Sequence, residues 1–361
     1  MNIAFYINEM NFRGVANSTY LYAINNKSIL KNNSIIFYNK KNIYNKKEVI
    51  LKFKRKFKVF GIKKFKDIDS FKKIKIDYIY IQKGGEKDSW VSDNIKTLVH
   101  YIYPQKLSEI HGNKYIGVSE WHSKKFSNNK IPFLEYIVQT NKTKKNLRKK
   151  FKIKTKQIVF GCHGGESSFD LKFTHDTLLE VVKKRNDVTF LFLNINKFCN
   201  HPRIIFLKGS FDEVYKKQFL NTCDAMIYGR SLGESFGMAC GEFALQRKKI
   251  ITYKFNRHRS HVSNIPNSYY EEYSSKSELF NIINKADKKN LSNLPKKNKY
   301  LKCSANLIMQ KFNNVFLKKN IPIKISFYDN ILNFIGFMEM YYYYLRHKVY
   351  INYYRFFESK F

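Results

Sequence analysis

Two glutamates, Glu234 and Glu242, stand eight positions apart in "GRSLGESFGMACGEFALQRKKIITY", separated by small residues in a chain dominated by lysine. If a helix begins near Phe236, Glu234 sits just ahead of its N-terminus and Glu242 lies roughly 12 Å further along the axis. That length suits a sugar, a diphosphate and a ribose laid along the helix start. The intervening "SFGMACG" is small enough to let a ligand reach the free backbone N–H groups at the tip, which with the helix dipole would hold phosphate. Carboxylates on either side would accept hydrogen bonds from hydroxyls, which lysines cannot do. The competing reading is a pair of ordinary surface acids, one a dipole partner and one a solvated helix position.

The elements that must position these acids are legible as a rhythm. Short apolar runs, "IAFYI", "SIIFY", "DYIYIQ", "TLVHYIY" and "YIGVSE", alternate with polar, helix-compatible segments through the first 140 or so residues, the pattern of a parallel α/β sheet. The lysine-laced "LKFKRKFKVF" reads as an amphipathic or edge strand, its lysines resisting edge pairing. The charged stretch "QTNKTKKNLRKKFKIKTKQ" is the expected linker, and a second alternating series follows it, with strands at "IVFG", "VTFLFLN", "RIIFLKG", "DAMIYG" and "KIITY". The expected architecture is therefore α/β, with two Rossmann-like doubly wound domains over 1–145 and 146–300 and a helical C-terminal extension over 301–361. In that extension Ile331, Phe334, Met338, Tyr341 and Tyr342 fall at helical spacing and make one apolar-aromatic face. Such a face most often packs onto a core, and its aromatic and basic mixture also suits a membrane interface.

Composition narrows the classes. Of 361 residues 43% are hydrophobic, enough for a globular protein with two cores. The net charge of +39 suggests nucleic acid or an anionic surface. Yet it is carried mostly by Lys in an Asn-, Ile-, Tyr- and Phe-rich chain, and no nucleic-acid-binding signature accompanies it, so no specific nucleic-acid partner is expected. Five scattered cysteines without a C-x-x-C pair argue against a disulfide framework or zinc site and for a reducing compartment. With no signal peptide and no run of about 18 uncharged apolar residues, a cytoplasmic or peripheral protein is expected. The sequons at Asn17 and Asn141 carry little weight without a secretory signal.

At Glu234 and Glu242 the chain resembles the E-x(7)-E region of the retaining GT-B glycosyltransferases, in which an acid, "GFG", small residues and a second acid precede a strand. Glu234, Phe236, Gly237, Glu242 and the strand after Lys249 stand in the matching places. The resemblance extends through "NFRGVANSTYLYA", "VHYIYP", "YIGVSEWHSKKF" and "FGCHGGESSFDLKFTHDTLLEVV", roughly 1 to 255, and is similar to glycosyltransferase-like proteins of large DNA viruses and bacteria. It implies metal-independent transfer of a sugar from a nucleotide sugar to a glycan or other acceptor, with the donor as substrate and no cofactor. Glu242 would hold ribose hydroxyls and Glu234 the transferred sugar. Gly237 and Met238 would offer backbone amides beside Phe236, and Gly14 would match the glycine loop near the diphosphate, or form an ordinary turn. His100 would face the sugar as a second catalytic residue, or be a satisfied core histidine. Gly164 and Lys172 complete the implied donor site.

One departure stands out. Where the family pattern has Gly-Arg, this chain has Gly161-Cys162, with His163 adjacent and Lys172 ten residues beyond Cys162. The lost cation would stabilise departing phosphate. Arg230 or a basic residue of "RHRSH" could replace it, or the chain is a non-catalytic nucleotide- or carbohydrate-binding relative. Asp67 and Asp69 match a metal-binding D-x-D pattern but follow no buried strand, so no metal site is expected.

Overall fold

The computed structural model describes residues 1–139, 142–292, 294–318 and 322–358; Asn141, with its sequon, lies outside them. Two compact units result: Met1–Ile137 with Lys302–Phe337, and Val138–Leu301 with Met338–Phe361. The expected linker therefore begins beside the boundary, and the C-terminal segment is divided between the units.

In the first unit, β1 (Asn2–Ile7), β2 (Asn33–Asn39), β3 (Lys58–Ile62), β4 (Tyr78–Lys83), β5 (Lys96–Tyr101) and β6 (Lys114–Gly117) form one sheet in the order β3-β2-β1-β4-β5-β6. Every pairing is parallel. Helices α1 (Gly14–Ser28), α2 (Lys47–Lys54) and α3 (Glu120–Ser127) fall between strands or follow them. The apolar runs form central strands because a parallel sheet is covered on both faces. Ile3, Ala4, Phe5, Ile79, Tyr80 and Ile81 are accordingly all fully buried. "LKFKRKFKVF" is split: its first part belongs to α2 and only its end enters β3, which is the sheet edge. The helix wins there because Val49 and Phe53, at i,i+4 spacing, are the residues buried.

The second unit repeats the plan. Strands β7 (Ile158–His163), β8 (Val188–Leu193), β9 (Ile204–Leu207), β10 (Ala225–Tyr228), the two-residue β11 (Gly233–Glu234), β12 (Ile250–Tyr253), the short β13 (His258–Arg259) and β14 (Tyr270–Tyr273) carry helices between and after them. These are α4 (Lys172–Lys184), α5 (Glu213–Thr222), α6 (Met238–Leu245), α7 (Ser260–Ser263), α8 (Lys276–Asn284) and α9 (Lys288–Leu291). The sheet order is β14-β12-β10-β7-β8-β9, again parallel, while β11 pairs with β13. From β7 the chain winds outward through β8 and β9, then returns to place β10 on the other side of β7. The gap between β7 and β10 is thus the topological switch point, where ligands of doubly wound sheets bind beyond the strands' carboxyl ends.

Beyond the sheets lie α10 (Ala305–Phe312) and α11 (Phe327–Tyr353). Here the sequence expectation is overturned. Ile331, Phe334, Met338, Tyr341 and Tyr342 do not pack onto a core; all five are exposed. The helix is instead fastened by other residues, through aromatic packing of Phe337 on Phe126 and of Tyr350 on Phe173 and through polar contacts. Asn333 donates to the carbonyls of Gln105 and Phe126 at 2.9 and 2.8 Å, and Asp329 accepts from Asn128 at 3.1 Å. In the second unit the Tyr350 hydroxyl accepts from the backbone N–H of Lys276 at 2.6 Å, and that of Tyr354 donates to Asp176. Among the described residues no helix is long and apolar enough to cross a membrane.

Candidate functional site

The switch point of the second sheet gathers the residues in question. His163 ends β7 and Tyr228 ends β10, so both side chains arise where the strands stop. From Tyr228 the chain runs through Arg230 to Glu234, then turns into α6 at Gly237. That glycine is the N-cap with φ +86°, and a Cβ there would lie 2.8 Å from the His261 Cβ. Only glycine meets both demands cheaply. Met238 opens the helix, and Phe236 is buried against Tyr300, the rings 5.4 Å apart and nearly perpendicular.

The two acids have different surroundings. Glu234 Oε1 accepts from the Tyr228 hydroxyl at 2.5 Å and from Arg230 Nη1 at 3.1 Å. Its Oε2 has no partner among the described residues, and about a quarter of the side chain (23%) is exposed. The carboxylate is held by one oxygen and offers the other.

Glu242 is only 2% exposed. Lys216 Nζ on α5 donates to its Oε1 at 2.8 Å and also lies 3.1 Å from Glu213. His163 Nε2 lies 2.9 Å from Glu242 Oε2, an ion pair when the imidazole is protonated. The alignment is not that of a hydrogen bond, so both atoms keep unused bonding capacity. Burial alone would raise the carboxyl pKa, but the charges of Lys216 and His163 outweigh it and hold it at about 2. Burial works against the charge on Lys216 in turn, and Glu242 and Glu213 overcome it, so its ammonium titrates above its ordinary range. A ribose contact by Glu242 would require the carboxylate to exchange one of these partners for a hydroxyl.

Lys216 and His163 are the residues that sequence reasoning did not assign to this cluster. The signal for His163 was its position beside Cys162; for Lys216, one lysine among many, there was none. Cys162 itself is fully buried in β7, and burial pushes its thiol far above the usual range. It supplies no charge to a ligand. Of the replacements considered in "RHRSH", His258 and His261 are buried and held down at about 3 by desolvation, with nearby arginines adding to the effect, so both are neutral near pH 7. Arg259 binds Glu272 at 2.6 Å, and Arg257 lies over the Tyr344 ring. Arg230 remains beside Glu234.

The other expected residues are placed as follows. Gly164 directly follows β7, where a Cβ would meet the Ser168 hydroxyl. Lys172 begins α4 with its side chain largely exposed and pairs with Asp176. Gly14 begins α1 in the first unit, and a Cβ there would meet open space, so the turn itself does not demand glycine. His100 is fully buried in the first unit. Its Nδ1 is 2.7 Å from the Tyr80 hydroxyl and its Nε2 2.9 Å from the Leu134 carbonyl. Desolvation holds it at about 3, and with both ring nitrogens engaged it has the environment of a core histidine. Asp67 accepts from the backbone N–H groups of Lys63 and Lys64 at 2.9 and 3.0 Å, a cap on a short turn.

No family model and no curated protein sequence matches the chain. Solved structures do match its fold. A glycosyltransferase from Rickettsia africae is 15% identical with a TM-score of 0.61, covering 88% of this chain and 99% of its own. The Anabaena protein HepE, in complex with UDP and glucose, is 13% identical with a TM-score of 0.61, covering 86% and 98%. A putative UDP-N-acetylglucosamine 2-epimerase from Listeria monocytogenes is 10% identical with a TM-score of 0.51, covering 90% and 99%. At such identities the likeness is one of fold, and the fold of this chain is GT-B, with two Rossmann-like sheets and a long C-terminal helix.

Proposed function

We propose that the protein is a glycosyltransferase that binds a nucleotide sugar at the tip of α6 and passes the sugar to a glycan or other acceptor, with retention and without a required metal. The observation that carries this reading is Glu234: a carboxylate at the switch point, fixed through one oxygen by Tyr228 and Arg230, with the other oxygen open. An acid so oriented suits a sugar hydroxyl, and it costs little reorganisation when the ligand arrives. The backbone N–H groups of Gly237 and Met238 offer the positive end of the helix to the diphosphate. Glu242 acts from inside, holding Lys216 and His163 in place, and the Lys216 ammonium supplies positive charge in place of the arginine absent at position 162. UDP complexes among proteins of this fold agree with a nucleotide donor.

A second reading, binding without turnover, is favoured by the buried Cys162, since the family's leaving-group cation is lost. One experiment separates the two. A panel of nucleotide sugars is screened for thermal stabilisation, because a ligand of the native state raises its melting point, and the stabilising donor is then assayed for nucleoside diphosphate release. Release that falls by about 100-fold or more in Glu234→Gln supports the transferase. Stabilisation without release assigns the chain to the binding class. An epimerised sugar, or no stabilisation by any donor, overturns the proposal.

A further inference from the structure

The side of helix α11 that meets the body mixes polar and aromatic groups: Asn333 and Asp329 make the hydrogen bonds described above, Phe337 packs on Phe126, and Tyr350 packs on Phe173. In the second unit Met338, Tyr342, Leu345, Val349 and Tyr353 of α11 are each between 42% and 67% exposed, and Phe356, in the short π-helix Tyr354–Glu358 that follows, is 72% exposed. Within α11 the spacing of three, four and seven residues sets the first five within roughly a third of the helix circumference, a single stripe. The residues α11 contributes to the first unit behave alike, with Phe327, Ile331 and Phe334 all exposed. Leaving so many large apolar groups in water is unfavourable, and a contiguous patch of this kind marks a docking surface.

Charge decides among the occupants. Arg346 and Lys348 border the stripe on opposite sides, their side chains lying over the Phe255 and Tyr344 rings, and Glu339 is the one acid between Met338 and Tyr353. The chain as a whole carries +39. A second copy would bring the same positive field to the contact and be repelled, whereas an anionic bilayer is attracted. Tyrosines on the stripe suit the boundary between headgroups and acyl chains, where a ring is buried and its hydroxyl stays wet. We propose that this face of α11 lies in the headgroup layer of a membrane bearing anionic lipids, parallel to its surface. The proposal is independent of the sugar-nucleotide site, none of whose residues lies on this stripe.

The test is cosedimentation of the full chain with vesicles of phosphatidylcholine alone and of phosphatidylcholine with phosphatidylglycerol, near physiological ionic strength. Binding is expected to the anionic vesicles. It is expected to weaken by about tenfold or more in Leu345→Ser/Val349→Ser/Phe356→Ser, whose altered residues are exposed, so the melting temperature stays unchanged. Equal vesicle binding by the triple variant would mean that charge alone acts and would overturn the proposal, as would indifference of the parent chain to both vesicles. Sedimentation velocity adds a last arm: a dimer that the triple substitution dissociates would assign the face to a second copy instead.

Discussion

Lys216 Nζ and Glu242 Oε1 lie 2.8 Å apart across 26 residues of sequence, a buried ion pair joining α5 to α6 beneath the switch point. Lys216→Met strands a carboxylate that is 2% exposed, and the expected loss of stability is about 3–5 kcal/mol. Lys216→Met with Glu242→Leu should cost much less than the sum of the single changes, since the buried carboxylate and the ammonium it holds leave together, and Glu213, which also loses Lys216, is partly exposed. Urea unfolding of the four proteins checks this, and additive losses would contradict the pairing.

Acid should dissolve the same pair in a defined range. The Glu242 carboxyl is held at about 2 in the folded protein against 4.5 in the unfolded chain, so the unfolded chain takes the proton first as pH falls. The stabilisation from this group is whole above pH 4.5 and lost as pH approaches 2. Glu242→Gln should lack that segment of the stability profile.

At milder acidity the histidines act. His100, His258 and His261 are held near 3 while their unfolded value is 6.5. Below pH 6.5 the unfolded chain binds protons that the folded protein refuses, and stability declines. Each such histidine contributes up to about 1.4 kcal/mol per pH unit. Urea midpoints measured from pH 8 downward should begin to fall near 6.5, with a shallower slope in His100→Gln.

Gly237→Ala should fail on two counts. Its φ of +86° disfavours any side chain, and the new methyl group would press on His261. A loss of about 1–3 kcal/mol is expected, with weaker nucleotide-sugar binding than in a control such as Ala239→Ser. Calorimetric melting and ligand-induced shifts in melting temperature read both effects.

Tyr228→Phe removes one of the two groups that orient Glu234 and leaves Arg230 in place. Stability should drop by only about 1 kcal/mol, while diphosphate release falls by about tenfold or more through loss of positioning. Unchanged release would separate Glu234 orientation from catalysis.

How much of this was legible beforehand depended on the range of the interaction involved. Strand and helix alternation is written in neighbouring residues: "IAFYI" and "VTFLFL" are almost entirely apolar because strands β1 and β8 are covered on both faces. The position of Glu234 ahead of a glycine-started helix was readable for the same reason, since the cap and the acid are three residues apart.

The sequence by itself determined two doubly wound sheets, the α6 tip and the amphipathic character of α11, all consequences of local periodicity and backbone preference. Only the tertiary structure decided that Lys216 and His163 converge on Glu242, that both nitrogens of His100 are engaged in a core, and that the apolar side of α11 faces water. Each of these depends on which distant segments become neighbours, and the same helical spacing in α11 serves inward or outward packing until the polar contacts of Asn333, Tyr350 and Tyr354 choose the side that is fastened.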